Sequence, residues 1–449
     1  MSVAPSRRAA FTVLRRVFED GSFADRALHT AAADLSQRDR ALATVLVYGT
    51  VQRKRTLDYI LGKFVTRDLE GLDPPVLAAL RLGLFQIVLL GGVSDYAAVN
   101  ESVELAKASS PGGAQLVNAV LRRATRDGQK LLDKLDDQTA THAAVLHSVP
   151  DWLAELWWEE LGPEEARALL SCINRPAENA LRVNTLKGDL VTTIAALPPT
   201  SHAQPAPAWG RADGLPEIPE GLVLSGAFDA YGSELWQQGR IMPQARASML
   251  VARVLDPQPG ERVLDLCAAP GGKTTHLFAL MGGEGELTAV EVHPGRARAL
   301  QETCELMGAN AVQVVTADAR SYSSEELFDR VLVDPPCSGL GTLQSRPDLR
   351  WQPRRGEVGE LAAKQAELLR AAASQLKPGG SLVYSVCTIS KAEAEHVVDA
   401  FLDERGGDFV SEGRWQLLPS RDGTDGFFLS KLRRGPNAPT GIDPNAPLI

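Results

Sequence analysis

The region from residue 236 onward alternates short apolar runs with helix-like stretches, and this alternation constrains the fold more than any other feature of the chain. The apolar runs are rich in Val and Leu and read RVLDLCA, ELTAVEV, AVQVVTAD, DRVLVDPP and SLVYSVC. Between most of them lie helical patterns such as HPGRARALQETCELMG. Strands that alternate with helices predict a mostly parallel sheet covered on both faces, with ligands bound at the carboxyl ends of the strands.

The amino-terminal residues predict helices instead. In RRAAFTVLRRVFEDG, apolar residues recur at helical spacing, and Gly21 supplies a stop. RDRALATVLVYGTVQRKRTLDYILGKF and PPVLAALRLGLFQIVLL continue the pattern, and a Pro-Pro pair opens the second of them. These patterns predict an all-α bundle over residues 1–140.

Residues 141–235 are interpreted as a small connecting domain of mixed α and β structure. VPDWLAELWWEELGPEEARALLSCIN predicts two helices broken at Gly162-Pro163, and ALRVNTLKG predicts a strand. The next segment, LPPTSHAQPAPAWGRADGLPEIPEG, is rich in Pro, Gly and Ala, which predicts an insertion without regular structure. The sheet-containing domain then occupies 236–434, and 435–449 are predicted to be a disordered tail.

Composition restricts the class of protein. No run of about 18 apolar residues predicts a membrane span, and MSVAPSRRAAFTVLRR lacks the apolar core of a secretory signal. The cysteines are odd in number and scattered, which is not the pattern of a disulfide framework. A cytoplasmic protein with free thiols is expected. The five are Cys172, Cys267, Cys304, Cys337 and Cys387.

The formal net charge of −9 is unevenly distributed. Residues 1–126 contain 17 Lys and Arg against 12 Asp and Glu, a balance of +5 that leaves −14 for the remainder. A basic module ahead of an acidic body is typical of an appended nucleic-acid-binding domain. A solvated helical surface with scattered arginines explains the charge equally well.

The sequence DLCAAPGGKT (265–274) follows the first strand of the sheet and opens a helix. Its small residues and Gly-Gly pair allow a ligand to approach the backbone N–H groups closely. It matches neither the phosphate-binding P-loop nor the spaced-glycine dinucleotide motif. A tight strand-to-helix turn without a ligand is the alternative.

Three carboxylates are predicted at the ends of the second, third and fourth strands of this sheet: Glu291, Asp318 and Asp334. In a parallel sheet these ends lie along one edge, so the carboxylates would face one crevice. Glu291 suits a ribose diol, because a carboxylate accepts from both hydroxyls, and Asp318 suits an adenine amino group. Each acidic residue taken alone is as easily a helix N-cap.

Two cysteines also stand at strand ends, Cys337 in DPPCSG and Cys387 in YSVCT. An isolated cysteine is usually a small buried apolar residue, but these two open into loops beside the predicted cofactor. Neither belongs to a CxxC pair or has a histidine within a few positions, so no metal is expected. A pair of thiols able to do covalent chemistry is the interpretation we prefer.

DLCAAPGGKT, DPPCSG and YSVCT resemble the motifs of the RNA 5-methylcytosine methyltransferases, and the resemblance covers about residues 145–434. It implies a Rossmann-like class I methyltransferase domain that uses S-adenosylmethionine. Carried over by motif, Cys387 is the nucleophile, Cys337 assists product release and Asp334 contacts N3 of the cytosine. Pro335 and Val386 depart from residues frequent in the bacterial branch, but both leave the thiol and the carboxylate in place.

The same resemblance assigns a cofactor pocket and its surroundings. RPDLRW (346–351) and GTDGFF (423–428) match family stretches expected to support the floor of the active site, and 242–244 match the segment that closes over the cofactor. The cofactor-binding residues implied are Cys267, Ala268, Ala269, Pro270, Gly271, Gly272, Lys273, Glu291, Asp318 and Asp334.

In the amino-terminal half, RDRALATVLVYGTVQRKRTLDYIL, LRLGLFQIVLL, DYAAVNESVELAK and LVNAVLRR are similar to the RNA-binding NusB fold. That fold joined to such a methyltransferase domain resembles the bacterial cytosine-C5 methyltransferases of 16S ribosomal RNA. The implied partner is 16S rRNA with an unpaired or flipped cytosine, bound by a monomer. Candidate phosphate contacts, any one of which is more often a solvated charge, are Arg7, Arg8, Arg15, Arg16, Arg53, Lys54, Arg55, Arg122 and Arg123.

The chemistry explains the two thiols. Carbon 5 of cytosine is a poor nucleophile until a thiolate adds to carbon 6, and a second thiol can later remove the carbon 5 proton. Three alternatives stay open: a tRNA cytosine-C5 methyltransferase, a methyltransferase that modifies a base nitrogen of RNA or DNA, and a non-catalytic RNA-binding assembly factor that has kept its cofactor pocket.

Overall fold

The computed structural model describes residues 3–210 and 214–438. Their contacts form two compact units. One comprises the residues up to Arg175 together with Leu343–Pro353, and the other Pro176–Thr342 together with the residues from Arg354 onward. Residues 141–235, predicted as one connecting domain, are therefore shared between the two. Most of the predicted disordered tail, 439–449, lies outside the described residues.

The first unit is the all-α bundle that the sequence predicts. Proline begins α1, where its missing N–H would have no helical partner, and Gly21 ends it with a φ of 65°. Leu14, Leu46, Leu80 and Leu121, from four different helices, are all fully buried in one core. The helices are α1 (Pro5–Asp20), α2 (Ala24–Ala31), α3 (Gln37–Gln52), α4 (Lys54–Gly62), α5 (Pro74–Val88), α6 (Asp95–Ser109), α7 (Ala114–Leu132), α8 (Ala140–His147), α9 (Asp151–Leu161) and α10 (Pro163–Cys172).

The segment Leu343–Pro353 also belongs to this unit, and it carries a 3-10 helix over Pro347–Trp351. Arg350 at its centre is fully buried. Its guanidinium donates to five backbone carbonyl oxygens at 3.1–3.2 Å, those of Gln52, Ser148, Ile173, Leu343 and Pro347. These contacts of Arg350 are made within the helical unit, and the role of RPDLRW in supporting the active-site floor stays a prediction.

A small antiparallel sheet opens the second unit, with strand order β2-β3-β1-β4. The strand predicted in ALRVNTLKG is β1. The Pro-rich insertion was wrongly predicted to lack regular structure, since it contains β2, whose residues pair with β3. A strand of three residues is too short to show an alternating pattern in the sequence, because pairing with its neighbour determines that it forms. Residues 211–213 of the insertion lie outside the described residues. The elements are β1 (Ala180–Val183), α11 (Leu190–Ala196), β2 (Ala203–Pro205), β3 (Gly221–Leu224), α12 (Glu234–Gln237) and β4 (Ile241–Pro243).

The larger sheet has seven strands in the order β10-β11-β9-β8-β5-β6-β7. Strands β5 to β9 pair in parallel, whereas β11 pairs antiparallel with β9 and with β10. The mostly parallel sheet is thus confirmed, with an antiparallel hairpin added at one edge. The elements are α13 (Arg246–Leu255), β5 (Arg262–Leu266), α14 (Gly272–Leu280), β6 (Glu286–Glu291), α15 (Pro294–Met307), β7 (Gln313–Thr316), β8 (Phe328–Val333), α16 (Arg355–Ser374), β9 (Leu376–Val386), α17 (Glu395–Glu404), β10 (Phe409–Leu417), α18 (Pro419–Asp422) and β11 (Phe427–Arg434).

Helices cover both faces of this sheet. Along β8, Leu332 joins an apolar cluster with α13, α14 and α15, whereas Val331 and Val333 join the cluster on the opposite face with α16 and α17. All three side chains are fully buried, as the near-continuous apolar runs predict. Polar side chains near the carboxyl ends of these strands therefore gather at one edge of the sheet.

Over the described ranges, no helix is long and apolar enough to cross a membrane.

Candidate active site

The predicted polar residues follow the carboxyl ends of neighbouring parallel strands. Glu291 is the last residue of β6, Asp334 follows β8 directly, and Cys387 follows β9 directly. Asp318 lies two residues beyond the end of β7, and Cys337 lies in the loop after Asp334. Strands β8 and β9 are hydrogen-bonded neighbours, so the two cysteine loops leave the sheet side by side.

The DLCAAPGGKT turn joins β5 to α14. Gly271 has a φ of 104°, and a Cβ there would lie 2.9 Å from Cδ1 of Leu300, so glycine fits where a larger residue does not. The buried guanidinium of Arg182 donates to the carbonyl of Gly272 at 2.8 Å and to the hydroxyl of Thr275 at 2.9 Å. The sequence predicted only that Arg182 lies in a strand. Its hydrogen bonds to Gly272 and Thr275, about 90 residues away in the chain, could not be predicted from the local pattern.

Asp265 lies in β5 just before the turn and is fully buried. The hydroxyl of Thr274 donates to its Oδ2 at 2.6 Å. Burial raises the pKa of Asp265 to about 7, with Asp334 adding to the rise and the Thr274 bond opposing it. A carboxyl with this pKa is neutral below about pH 7 and ionised above it, so the stability of the fold around β5 should depend on pH.

A cavity of about 290 Å³ lies beside the turn. Glu291 is buried there: its Oε1 accepts the backbone N–H of His293 at 3.0 Å, while its Oε2 has no hydrogen bond and lies 3.4 Å from Arg296. Asp318 is held by Arg320 at 2.6 Å in an exposed ion pair. The lining residues are Cys267, Val290, Glu291, Val292, His293, Arg296, Asp318, Ala319, Arg320, Pro336, Lys364 and Leu368.

The cavity suits a nucleoside-type cofactor such as S-adenosylmethionine. A buried carboxylate oxygen without a hydrogen-bond donor is costly unless a ligand supplies one, and ribose hydroxyls would do so at Glu291. Burial raises the pKa of Cys267 to about 12, so this thiol stays neutral and presents an uncharged wall. Of the three predicted carboxylates, Glu291 and Asp318 line this cavity.

Asp334, the third, is held between two polar side chains. Lys273 donates to its Oδ2 at 2.7 Å, and Ser385 donates to its Oδ1 at 2.7 Å. Burial by itself would lower the pKa of Lys273, but attraction to Asp334, and more weakly to Cys387 and Asp265, leaves the pKa raised. The ammonium of Lys273 is therefore a permanent positive charge near the predicted nucleophile. Ser385 was not singled out in the sequence, although it stands two residues before Cys387.

The sulfur atoms of Cys337 and Cys387 lie 3.0 Å apart. The pKa of Cys337 is raised well above its ordinary value by its hydrogen bond with Cys387 and by burial, with the negative charges of Glu393 and Asp334 adding to the rise. Cys337 therefore holds its proton, and the two sulfur atoms share one hydrogen bond. All five cysteines are free, and these two are half-buried, so they are within reach of a substrate.

The GTDGFF segment contacts the loop of Cys387. The N–H of Gly341 donates to the carbonyl of Cys387 at 3.0 Å, and the N–H of Gly426 donates to the carbonyl of Gly341 at 2.8 Å. A Cβ on Gly341 would lie 1.9 Å from the oxygen of Gly426, so this close stacking of backbones requires glycine. The ring of Phe427 lies 5.2 Å below the Lys273 ammonium.

The segment predicted to close over the cofactor, 242–244, begins in β4. Gln244 is almost fully buried, and its amide nitrogen donates to Ser248 at 3.2 Å. Its side chain also borders the turn, since a Cβ on Gly272 would lie 3.9 Å from its Cδ. The location next to the DLCAAPGGKT turn agrees with that expectation, and the closing role stays a prediction.

Several of the basic residues predicted to bind phosphate have other partners in the helical unit. Arg7 is buried and bonds to Gln86 and Glu101, so it is not available at the surface. Arg55 donates to Asp151 and the carbonyl of Val149. Burial lowers the pKa of Arg53 and of Lys54, both of which pack into this unit. The predicted candidates that remain exposed are Arg8, Arg16, Arg122 and Arg123.

Two family comparisons agree with this architecture. The second unit has the Rossmann-like fold of a methyltransferase, and a sequence model of the family described as "16S rRNA methyltransferase RsmB/F" matches residues 252–433. A model of the NusB family matches residues 4–126. Within the described residues, no group of three or more His, Cys, Asp or Glu side chains is placed to hold a metal ion.

Curated relatives match over nearly the whole chain. A Bacillus subtilis protein named "Probable ribosomal RNA small subunit methyltransferase B" is 35% identical over 89% of this chain and 92% of its own. The Vibrio cholerae "Ribosomal RNA small subunit methyltransferase B" is 32% identical over 95% of this chain and 97% of its own. The protein belongs to the RsmB/F family of 16S rRNA methyltransferases, with a NusB domain at its amino-terminal side.

Solved structures support the fold. The crystal structure of PH0851 superposes with a TM-score of 0.81 at 28% identity and covers 97% of this chain and all of that one. A methyltransferase homologue from Pyrococcus horikoshii has a TM-score of 0.58 at 26% identity, over 66% of this chain and 99% of its own.

Proposed function

We propose that the protein transfers the methyl group of S-adenosylmethionine to carbon 5 of a cytosine in 16S rRNA. The observation that carries this proposal is the pair of thiols, Cys337 and Cys387, 3.0 Å apart at the ends of neighbouring strands. Methylation of a base nitrogen needs no thiol adduct, because a nitrogen lone pair already attacks. The names of the relatives from B. subtilis and V. cholerae support ribosomal RNA as the substrate.

The cavity beside the DLCAAPGGKT turn would hold the cofactor. Glu291 would accept from the ribose hydroxyls through Oε2, which has no hydrogen bond, and Asp318 would accept from the adenine amino group. The ion pair of Asp318 with Arg320 is exposed and weak, so exchanging it for a ligand costs little. Cys267, Ala269 and Gly272 would supply backbone N–H groups, since Pro270 has none and those of Ala268 and Gly271 are already bonded. S-adenosylmethionine, when bound, supplies an electrophilic methyl group.

Cys387 would begin the reaction by adding as a thiolate to carbon 6 of the base. This breaks the ring double bond and places electron density on carbon 5, which can then take up the methyl group. The ring takes up a proton from water at N3 during the addition, Asp334 would accept a hydrogen bond from that N–H, and the proton returns to water when the aromatic ring is restored. Lys273 stabilises the thiolate of Cys387 by its positive charge and keeps Asp334 in place.

Cys337 would complete the reaction by removing the proton from carbon 5. The bond between carbon 6 and the sulfur of Cys387 then breaks, and the aromatic ring is restored. The raised pKa of Cys337 keeps it protonated while Cys387 attacks. Once the sulfur of Cys387 is bonded to carbon 6, the partner that raises this pKa most is lost, so Cys337 can release its proton to water and then take up the proton of carbon 5.

The helical unit would hold the RNA. Its exposed basic residues Arg8, Arg16, Arg122 and Arg123 are available to neutralise phosphates. The target cytosine must be unpaired or flipped out, since a stacked base does not expose carbon 6 to a thiol. A monomeric state and a location in the cytoplasm remain predictions.

A double-label assay tests the proposal. The purified protein is incubated with 16S rRNA that carries tritium on carbon 5 of its cytosines and with carbon-14-labelled S-adenosylmethionine. Carbon 5 methylation releases one tritium for each methyl group incorporated. Methyl incorporation without tritium release would establish methylation elsewhere, and RNA binding without either signal would establish a non-catalytic assembly factor.

A further inference from the structure

Glu393 lies in the short 3-10 turn Lys391–Glu393, between β9 and α17, and its side chain is fully buried. Its carboxylate accepts four hydrogen bonds. Oε1 accepts from the backbone N–H of Ser338 at 2.8 Å and from the amide of Gln365 at 3.0 Å. Oε2 accepts from the hydroxyl of Ser338 at 2.5 Å and from that of Thr388 at 3.0 Å.

Two of these partners are the residues that follow the two thiols. Ser338 follows Cys337 in the loop after β8, and Thr388 follows Cys387 in the loop after β9; their hydroxyl oxygens lie 3.0 Å apart. We propose that Glu393 is a positioning residue that fixes the thiols of Cys337 and Cys387 relative to each other by holding the residue next to each. This inference rests on the proposed function, because it concerns the addition and release steps assigned to those thiols.

The carboxylate is itself fixed from outside the two loops. The hydroxyl of Tyr384, in β9, donates to the backbone carbonyl of Glu393 at 2.6 Å. Gln365, in α16, donates both to Glu393 and to the carbonyl of Pro336 at 2.9 Å. Through Glu393, the two cysteine loops are therefore hydrogen-bonded to the sheet and to α16.

A buried carboxylate is expensive to desolvate unless charge-assisted hydrogen bonds compensate for it. An apolar side chain would fill this space without that cost, but it could not hold two loops in a defined register. The sheet alone does not fix Cys337, which lies beyond Asp334 in a loop rather than in β8. Because a misplacement of about 1 Å can lower a rate about 100-fold, a tether at this point has a direct effect on catalysis.

The test uses the full-length protein with 16S rRNA that contains 5-fluorocytosine or ordinary cytosine. Fluorine cannot leave carbon 5 as a cation, so a methylated adduct on the fluorinated RNA persists through denaturation. Formation of that adduct reports addition and methyl transfer, whereas turnover on ordinary RNA also requires release. The variants are Glu393→Gln, Ser338→Ala and Thr388→Ala, with Glu360→Gln, an exposed site on α16, as the matched control.

Glu393→Gln should lower kcat by about 10- to 100-fold and slow adduct formation, because its amide nitrogen faces the donors of Ser338 and Thr388. The KM for RNA and the affinity for S-adenosylmethionine should change less than about twofold. A general loss of structure would change these together with kcat. Thr388→Ala should slow adduct formation on fluorinated RNA, and Ser338→Ala should let an adduct accumulate on ordinary RNA. Glu360→Gln should behave as the wild type.

Wild-type rates in Glu393→Gln would overturn the assignment. If Glu393→Gln does not fold, Ser338→Ala and Thr388→Ala test the assignment instead. Wild-type kinetics in both of these variants would also overturn the positioning role of Glu393. Failure of the wild-type protein to form any adduct with fluorinated RNA would refute the proposed function itself. Adduct formation at the same rate in the wild type and in Glu393→Gln would refute the role of Glu393 alone.

Discussion

The sulfur atoms of Cys337 and Cys387 share a hydrogen bond across 3.0 Å, although 50 residues separate them in the chain. The bond is possible because β8 and β9 are parallel neighbours, and their carboxyl ends place both loops at one edge of the sheet. Two thiols this close share one proton more readily than they lose two. The arrangement therefore favours one thiolate at a time, and the raised pKa of Cys337 places the proton on that residue.

Removing each thiol should stop the reaction at a different stage. Cys387→Ala should abolish methylation and form no covalent species, because nothing adds to carbon 6. Cys337→Ala should accumulate a protein–RNA adduct that survives denaturation, because addition and methylation proceed while release stalls. Denaturing gel electrophoresis with labelled RNA distinguishes the two outcomes. Normal turnover by Cys337→Ala would show that another group removes the carbon 5 proton.

Ser385→Ala should weaken catalysis without affecting the cofactor. The hydroxyl of Ser385 is one of two side chains that hold Asp334, and a hydrogen bond to a charged group contributes about 1.5–3 kcal/mol. We expect kcat to fall by about tenfold or more, with S-adenosylmethionine affinity unchanged. Ser374→Ala, in α16, is the control. Unchanged kcat would show that Lys273 alone is sufficient to position Asp334.

Glu291→Gln should weaken cofactor binding. The amide keeps the size of the side chain but replaces an acceptor oxygen with a donor, so one ribose hydroxyl loses its partner. Titration calorimetry with S-adenosylmethionine should show a Kd about tenfold higher or more, equivalent to about 1.4 kcal/mol. The exposed Glu302→Gln on α15 should leave the Kd unchanged. An unaltered Kd in Glu291→Gln would place the ribose elsewhere.

Asp265→Asn should change the pH dependence of stability. An aspartate titrates near 3.8 when unperturbed, whereas burial raises the pKa of Asp265 to about 7. Between these values the folded protein holds a proton that the unfolded chain has released, so the contribution of Asp265 to stability falls as the pH rises. The asparagine variant lacks this titration. Its free energy of unfolding, relative to the wild type, should therefore rise from pH 4 to pH 7 and level off above, by up to about 4 kcal/mol.

Urea unfolding at a series of pH values measures this difference. The exposed Asp403→Asn serves as the control for a change of net charge. A difference between Asp265→Asn and the wild type that does not vary with pH would show that Asp265 is already ionised at pH 4.

Arg350→Met should destabilise the helical unit. The variant leaves the carbonyl oxygens that Arg350 holds without donors, at about 1–3 kcal/mol for each that water does not reach. Hydrogen exchange followed by mass spectrometry should show reduced protection in peptides of α3 and α10. Arg298→Met, an exposed site on α15, should show wild-type protection. Equal protection in the two variants would mean that water replaces the guanidinium.

The sequence predicted the parts of the site that depend on local pattern. Glu291, Asp334 and Cys387 each end or follow a run rich in Val or Leu. Such a run predicts a buried strand and where it ends, even when the neighbouring strand is not known. Parallel pairing then places these ends at one edge. The predicted relation between Cys337 and Cys387 required only that their strands be neighbours.

The remaining features depend on contacts between distant residues, which a single sequence does not record. Lys273 belongs to the cofactor turn by motif, yet its amine bonds to Asp334, 61 residues away. Glu393 bonds to Ser338, 55 residues away, and nothing in KAEAEH distinguishes this glutamate from its neighbour Glu395. The buried partners of Arg350 include Gln52 and Ser148, about 300 and 200 residues away in the chain, and no local pattern in RPDLRW indicates them.

The place of Leu343–Pro353 in the helical unit has a consequence for how the protein is made. A chain emerging from the ribosome cannot complete this bundle when residue 175 appears, because Arg350 is not yet synthesised. Strands β5 to β8 precede Leu343–Pro353 in the chain, so they are synthesised before the last segment of the bundle. A gene cut at the boundary near residue 175 would therefore yield an incomplete first half.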